Sequence, residues 1–161
     1  MIDDEFKAVA LIILLASAVI SVYPVISEGR IVEPFSELGI LGPTGKLGNY
    51  TREVAVGQGF DLFIYVGNHE GRCEYYRVVE KVGDQNSNVS DVVPLDASVR
   101  ASWETVLPSE GNNTIPIRVS MDSAGLNRRL VLELWKYDLA SHGFVYDERW
   151  TQLWLNVTLT G

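Results

Sequence analysis

The chain has 161 residues, with 13 Lys+Arg against 21 Asp+Glu and a formal net charge of -8. A phosphate backbone is bound through clustered positive charge, so this balance argues against a nucleic-acid partner. A single cysteine excludes an internal disulfide and a cysteine-based zinc site, and two histidines leave little material for most catalytic or metal constellations. No cofactor is expected.

Ala8 to Ile26 reads AVALIILLASAVISVYPVI, without a charge. A helix of that length spans roughly 28 Å, close to the ~30 Å hydrocarbon core of a bilayer. The expectation for residues 1–27 is therefore a short cytoplasmic segment and one transmembrane helix, with the lipid bilayer as its partner. Ser17 and Ser21 are tolerable there, because a hydroxyl bonds back to a helix carbonyl. Pro24 suits a helix end, and Tyr23 suits the membrane boundary. Two other readings use the same residues. Ala16-Ser17-Ala18 resembles a secretory cleavage site, although the preceding Met1-Ile2-Asp3-Asp4-Glu5-Phe6-Lys7 is acidic with one lysine. Processing at Lys7-Ala8 would instead produce a pilin-like helix that packs into a filament.

After a linker at 28–34, the periodicity changes to two. Phe60, Leu62, Ile64 and Val66 alternate with Asp61, Phe63 and Tyr65. Further β-rich runs cover 37–41, 51–56, 75–82, 98–107, 115–120, 129–138 and 149–160. Gly42-Pro43-Thr44-Gly45, Gly67-Asn68, Gly83-Asp84-Gln85-Asn86 and Gly111-Asn112-Asn113 mark the joints between them. Seven to eight short strands with such turns predict a mainly β domain over 35–161, an Ig-like antiparallel β-sandwich. In the last run Leu153, Leu155, Val157 and Leu159 share the face that wants a core. Gln152, Trp154 and Asn156 share the other. Trp150 and Trp154 are thus expected on an outer face, as a partly covered surface or as a contact for a partner or polysaccharide.

Four of the eight asparagines, Asn49, Asn88, Asn112 and Asn156, stand in N-x-S/T acceptors for N-glycosylation. About one would arise by chance at this Ser and Thr content. All four lie beyond the apolar segment, which orients the C-terminal domain to the outside of the cell.

Gly67-Asn68-His69-Glu70-Gly71 joins two strand runs. Its simplest role is a turn in which Asn68 and Glu70 bond local backbone amides. An exposed assembly contact through Asn68, His69 and Glu70 is the alternative. This run, with Pro34-Phe35-Ser36-Glu37-Leu38-Gly39-Ile40-Leu41-Gly42-Pro43-Thr44-Gly45-Lys46, Tyr50 and Val54-Ala55-Val56-Gly57 between them, resembles the mainly archaeal, membrane-anchored domain of unknown function 1616 family. The resemblance implies an Ig-like extracytoplasmic domain on a membrane anchor, without an established activity.

The residues themselves offer no catalytic constellation. His69 and His142 sit in turn sequences, outside any nucleophile motif, and Cys73 reads as a small apolar residue. Asp147-Glu148 lacks calcium-loop spacing. The expectation is a membrane-anchored, N-glycosylated structural or interaction protein at the cell surface, or an accessory subunit of a membrane complex, with protein partners or self-assembly. A pilin-like filament subunit and a carbohydrate-binding module are the alternatives.

Overall fold

The structure is a computed structural model that describes residue 9 and residues 11–18 and 33–159. The chain divides into two compact units, Met1–Glu33 and Pro34–Gly161. In the first, residues 11–18 are helical, and Ser17 Oγ donates to the Ile13 carbonyl at 2.5 Å. Among the described residues no helix is long and apolar enough to cross a membrane. Much of the span expected at 8–26 lies outside the described residues, as do Tyr23 and Pro24.

The second unit holds eight strands: β1 (Phe35–Leu41), β2 (Glu53–Ala55), β3 (Phe60–His69), β4 (Glu74–Gly83), β5 (Ala101–Leu107), β6 (Asn112–Val119), β7 (Gly125–Asp138) and β8 (Gly143–Thr158). They form a three-stranded sheet in the order β1-β3-β6 and a five-stranded sheet in the order β2-β8-β7-β4-β5. All pairings are antiparallel except that of β2 with β8, where Val54 stands opposite Val157 in a parallel register. That pair corrects the purely antiparallel expectation. After β1 the chain crosses to the other sheet, and it enters β2 in the direction that β8 already runs.

The crossing depends on the predicted glycine turn. A Cβ on Gly42 would lie 2.2 Å from the carbonyl oxygen of Gly48, closer than any side chain tolerates. Gly42 donates to the Lys46 carbonyl and Gly45 to the Gly42 carbonyl, which closes the loop.

The two sheets share one core. Ile40, Leu62, Ile64, Val66, Ile117 and Val119 of the three-stranded sheet pack with Tyr76, Val78, Leu130, Leu132, Leu134, Leu155 and Val157 of the five-stranded sheet. This is the face-to-face packing of a β-sandwich, with alternate residues of each strand turned inward. Leu155 and Val157 take the expected inward face of β8, whereas Leu159 is 78% exposed because the strand has already ended at Thr158.

Part of the outer face of the five-stranded sheet is also covered. Residues 84–100, between β4 and β5, lie over it, and Val89, Leu95 and Val131 form a second small core with Ala97 and Trp150 at its margin.

Candidate functional site

One end of the sandwich is organised by Asn68, which is completely buried. Its Oδ1 accepts from the Glu70 amide at 3.0 Å, an Asx turn, and from the Tyr76 hydroxyl at 3.1 Å. Its Nδ2 donates toward the carbonyls of Arg72, Leu107 and Pro108 at 2.8, 2.9 and 3.0 Å. The Asn68 backbone in turn pairs with Gly111 and Glu110. One side chain therefore ties the β3–β4 turn to the β5–β6 connection. Because every polar group of a buried amide needs a partner, this residue tolerates no apolar replacement.

Beside it lies a cleft of about 360 Å³, lined by Phe35, Ser36, Glu70, Lys136, Asp147 and Arg149 among others. Two irregularities build it. The turn places Glu70 at the mouth, and a bulge in β8 opposite Leu134 and Trp135 turns Asp147 toward β7. Glu148, within that bulge, has φ +57°. Lys136 Nζ sits between Glu70 Oε1 at 2.8 Å and Asp147 Oδ1 at 3.0 Å. Ser36 Oγ donates to Glu70 at 3.1 Å and lies 3.0 Å from the Tyr76 hydroxyl.

Burial alone would raise the Glu70 pKa, yet the hydrogen bond and charge of Lys136 hold it below the ordinary carboxylate value. Burial likewise works against the Lys136 ammonium, and its bonds to Glu70 and Asp147 overcome that and raise its pKa. Burial pushes the Tyr76 phenol up to about 12. Glu70 and Lys136 are thereby held in their charged forms and Tyr76 in its neutral form. The arrangement is an ion-paired lock that ties Glu70 of the β3–β4 turn to Lys136 of β7 and Asp147 of β8.

His69 occupies the outer rim. Its Nδ1 lies 2.6 Å from Glu110 Oε2, its Nε2 lies 3.6 Å from Glu37 Oε2, and its ring stacks on Phe35 at 4.6 Å between centroids. The Glu110 hydrogen bond, opposed in part by desolvation, raises the His69 pKa above 6.5. Of the three residues expected as an interaction turn, Asn68 is enclosed and cannot touch a partner. The Glu70 carboxylate bonds Ser36 and Lys136 instead of local amides. Only the rim position of His69 suits an external contact.

Asn49, Asn88 and Asn112 are exposed, the first in the β1–β2 crossing with φ +55°, the second in residues 84–100, the third at the start of β6. Asn156 is half-buried in β8, where its Oδ1 accepts from the Asn127 amide at 3.2 Å. The two tryptophans separate. Trp154 is 41% exposed, whereas Trp150 is partly buried against the small outer core. The Arg129 guanidinium lies over both rings, 5.2 Å from Trp150 and 5.3 Å from Trp154. Trp154 and Asn156 line a groove of about 440 Å³ together with Tyr50, Arg52, Asn127 and Gln152.

Residues 30–156 match the family model described as Domain of unknown function (DUF1616). The chain belongs to the DUF1616 family. No curated protein matches it. Among solved structures, the CARDB domain of a Pyrococcus furiosus protein, solved in complex with di-metal ions, superposes with a TM-score of 0.51 at 13% identity, covering 79% of this chain and 96% of that one. A β-glucosidase from Listeria innocua, in complex with glucose, gives 0.51 at 10% identity over 78% of this chain but only 16% of its own length. These likenesses support an Ig-like β-sandwich for this DUF1616 domain. Among its described residues no group of three or more His, Cys, Asp and Glu could hold a metal ion.

Sequence reasoning about the DUF1616 turn found Asn68, His69 and Glu70 but missed Ser36, Tyr76, Lys136 and Asp147, which complete the cluster. A faint signal existed: Lys136 follows an apolar run in a strand, and Asp147-Glu148 interrupts the alternation of β8.

Proposed function

We propose that this DUF1616 chain is a cell-surface interaction protein: an N-glycosylated β-sandwich held at the outer face of the cell membrane by its apolar N-terminal segment. The observation that carries the reading is the placement of the acceptors. Asn49, Asn88 and Asn112 stand exposed on three separate segments of the domain, as carriers of a bulky glycan must. The uncharged stretch at 8–26 supports attachment to a bilayer, and the net charge of -8 suits a solvated outer surface. The ion-paired lock at Glu70, Lys136 and Asp147 supports a rigid module whose task is contact. A protein partner in the envelope, or another copy of the chain, is the expected counterpart.

Protease treatment of intact cells, followed by membrane fractionation, tests the reading. The β-domain should be degraded or released while the apolar segment stays with the membrane. A domain that resists protease on intact cells but yields after lysis would overturn it.

A further inference from the structure

We propose that the groove beside Trp154 is the seat of an oligosaccharide carried by Asn156 on the same strand. The inference rests on the reading of this domain as extracytoplasmic and glycosylated, and it assigns one of the four acceptors a role the others do not share.

Trp154 and Asn156 are two residues apart on β8, so strand geometry turns both to the same face, about 7 Å apart along the chain. Both line the groove of about 440 Å³, a size within the range of small-ligand sites. The Asn156 amide is already oriented. Its Oδ1 is held by the Asn127 N–H, which turns Nδ2, the atom that carries an N-linked glycan, away from Asn127. Trp154 keeps 41% of its surface open, while the Arg129 guanidinium stacks on it. An indole offers the C–H face of a pyranose a broad apolar platform. Gln152 Oε1 accepts from Arg129 Nε, which leaves its amide NH₂ group for sugar hydroxyls, and the exposed Arg52 supplies further donors. An apolar plate edged by a few fixed donors is the composition that saccharide recognition needs.

The groove is shallow and open at the surface. A free sugar would hold weakly to one exposed ring, but a sugar tethered inside the groove acts at a high effective concentration. The other acceptors lack this arrangement. Leu47, Asn86 and Glu110 stand two residues before Asn49, Asn88 and Asn112. Attachment itself follows ordinary glycosyl transfer from a lipid-phosphate-linked oligosaccharide. A bond forms between Nδ2 and the anomeric carbon, the bond from that carbon to the phosphate oxygen breaks, and Nδ2 gives up one proton.

The test uses the full chain purified from membranes of a glycosylating host, with site-resolved glycopeptide mass spectrometry and hydroxyl-radical footprinting on the same samples. The expected result is an occupied Asn156 and a Trp154 oxidised severalfold more slowly than in Thr158→Ala, which destroys the acceptor and leaves Asn156 in place. Asn156→Gln should match Thr158→Ala. Trp103 and Trp135 report whether each variant is folded and should not change. An unglycosylated Asn156 beside a glycosylated Asn49, Asn88 or Asn112 overturns the inference while the surface reading stands. So does an occupied Asn156 without protection of Trp154. Binding of the oligosaccharide released from this protein to an unglycosylated Trp154 groove would make the groove a receptor for free sugar and overturn the tethered seat. Four bare asparagines overturn the surface reading itself.

Discussion

The two faces of β7 are buried to the same extent by opposite means. Leu130, Leu132 and Leu134 point inward and meet the apolar face of the second sheet. On the outward face, Glu133 is as completely buried as Leu132, and Lys81 of β4 lies beside it at 3.0 Å. What covers that outer face is a loop, and a loop brings unpaired backbone groups with it. Glu133 Oε1 accepts the Leu95 amide at 2.5 Å, and Lys81 Nζ donates to the Leu95 carbonyl at 2.8 Å. Around them Tyr146 donates to the Ser90 carbonyl and Arg129 to the Ser87 carbonyl. A sheet covered by another sheet needs only apolar side chains. A sheet covered by a loop needs charged side chains that replace the hydrogen bonds a strand partner would have made.

The sharpest way to break this contrast is Glu133→Ala. It leaves the Lys81 ammonium buried and unpaired and the Leu95 amide without an acceptor, a loss of about 3–5 kcal/mol in unfolding free energy. Urea denaturation followed by tryptophan fluorescence reads it directly. On the inward face, Leu132→Ala should cost about 3 kcal/mol through the cavity it opens, with residues 84–100 still seated. Equal protease resistance of that loop in the variant and the parent would show that the two faces are independent.

The double change Lys81→Met with Glu133→Leu sharpens the comparison further. Replacing a buried ion pair by apolar residues is often neutral, but here the Leu95 amide loses its acceptor, while the Leu95 carbonyl keeps only the Ala97 N–H. The expected cost is about 2 kcal/mol, below that of Glu133→Ala, with faster proteolysis confined to 84–100. A fully neutral double variant would show that water, and not the ion pair, satisfies Leu95.

The smallest effect belongs to the rim. Because Glu110 raises the His69 pKa above 6.5, the stabilisation from that pair is complete below pH 6.5 and fades as pH climbs through the folded-state value. The urea midpoint of the parent should therefore exceed that of His69→Gln more at pH 5.5 than at pH 8.5. An equal difference at both pH values would assign His69 to stacking on Phe35 alone.

Much of the architecture was legible along the chain. Alternation in 60–66 marked β3, and the runs at 75–82 and 129–138 fell inside β4 and β7. The glycine clusters lay at real joints, because positive φ and close backbone approach leave few residue types to choose from. Two clusters were exceptions: Gly67 and Asn68 lie inside β3, and Asn112 already opens β6. The candidate site was less legible. Asn68 was visible as a turn residue, but its bonds to Leu107 and Pro108 cross about forty positions of sequence, and no local rule encodes them. Lys136 and Asp147 lie on different strands, and it is the β8 bulge that brings them together.

What the sequence by itself determined was therefore local: which residues extend, where the chain turns, which asparagines stand in N-x-S/T, and that an uncharged segment precedes an acidic β-domain. Those features depend on backbone sterics, on side-chain period and on charge, all of which act over a few neighbouring residues. Only the tertiary structure decided that 84–100 packs over part of the outer sheet, that Trp150 is partly covered while Trp154 stays exposed, and that β2 runs parallel to β8. Each of those outcomes depends on which surface a segment finds across the fold, and the pleat of a strand is the same whichever face is later covered.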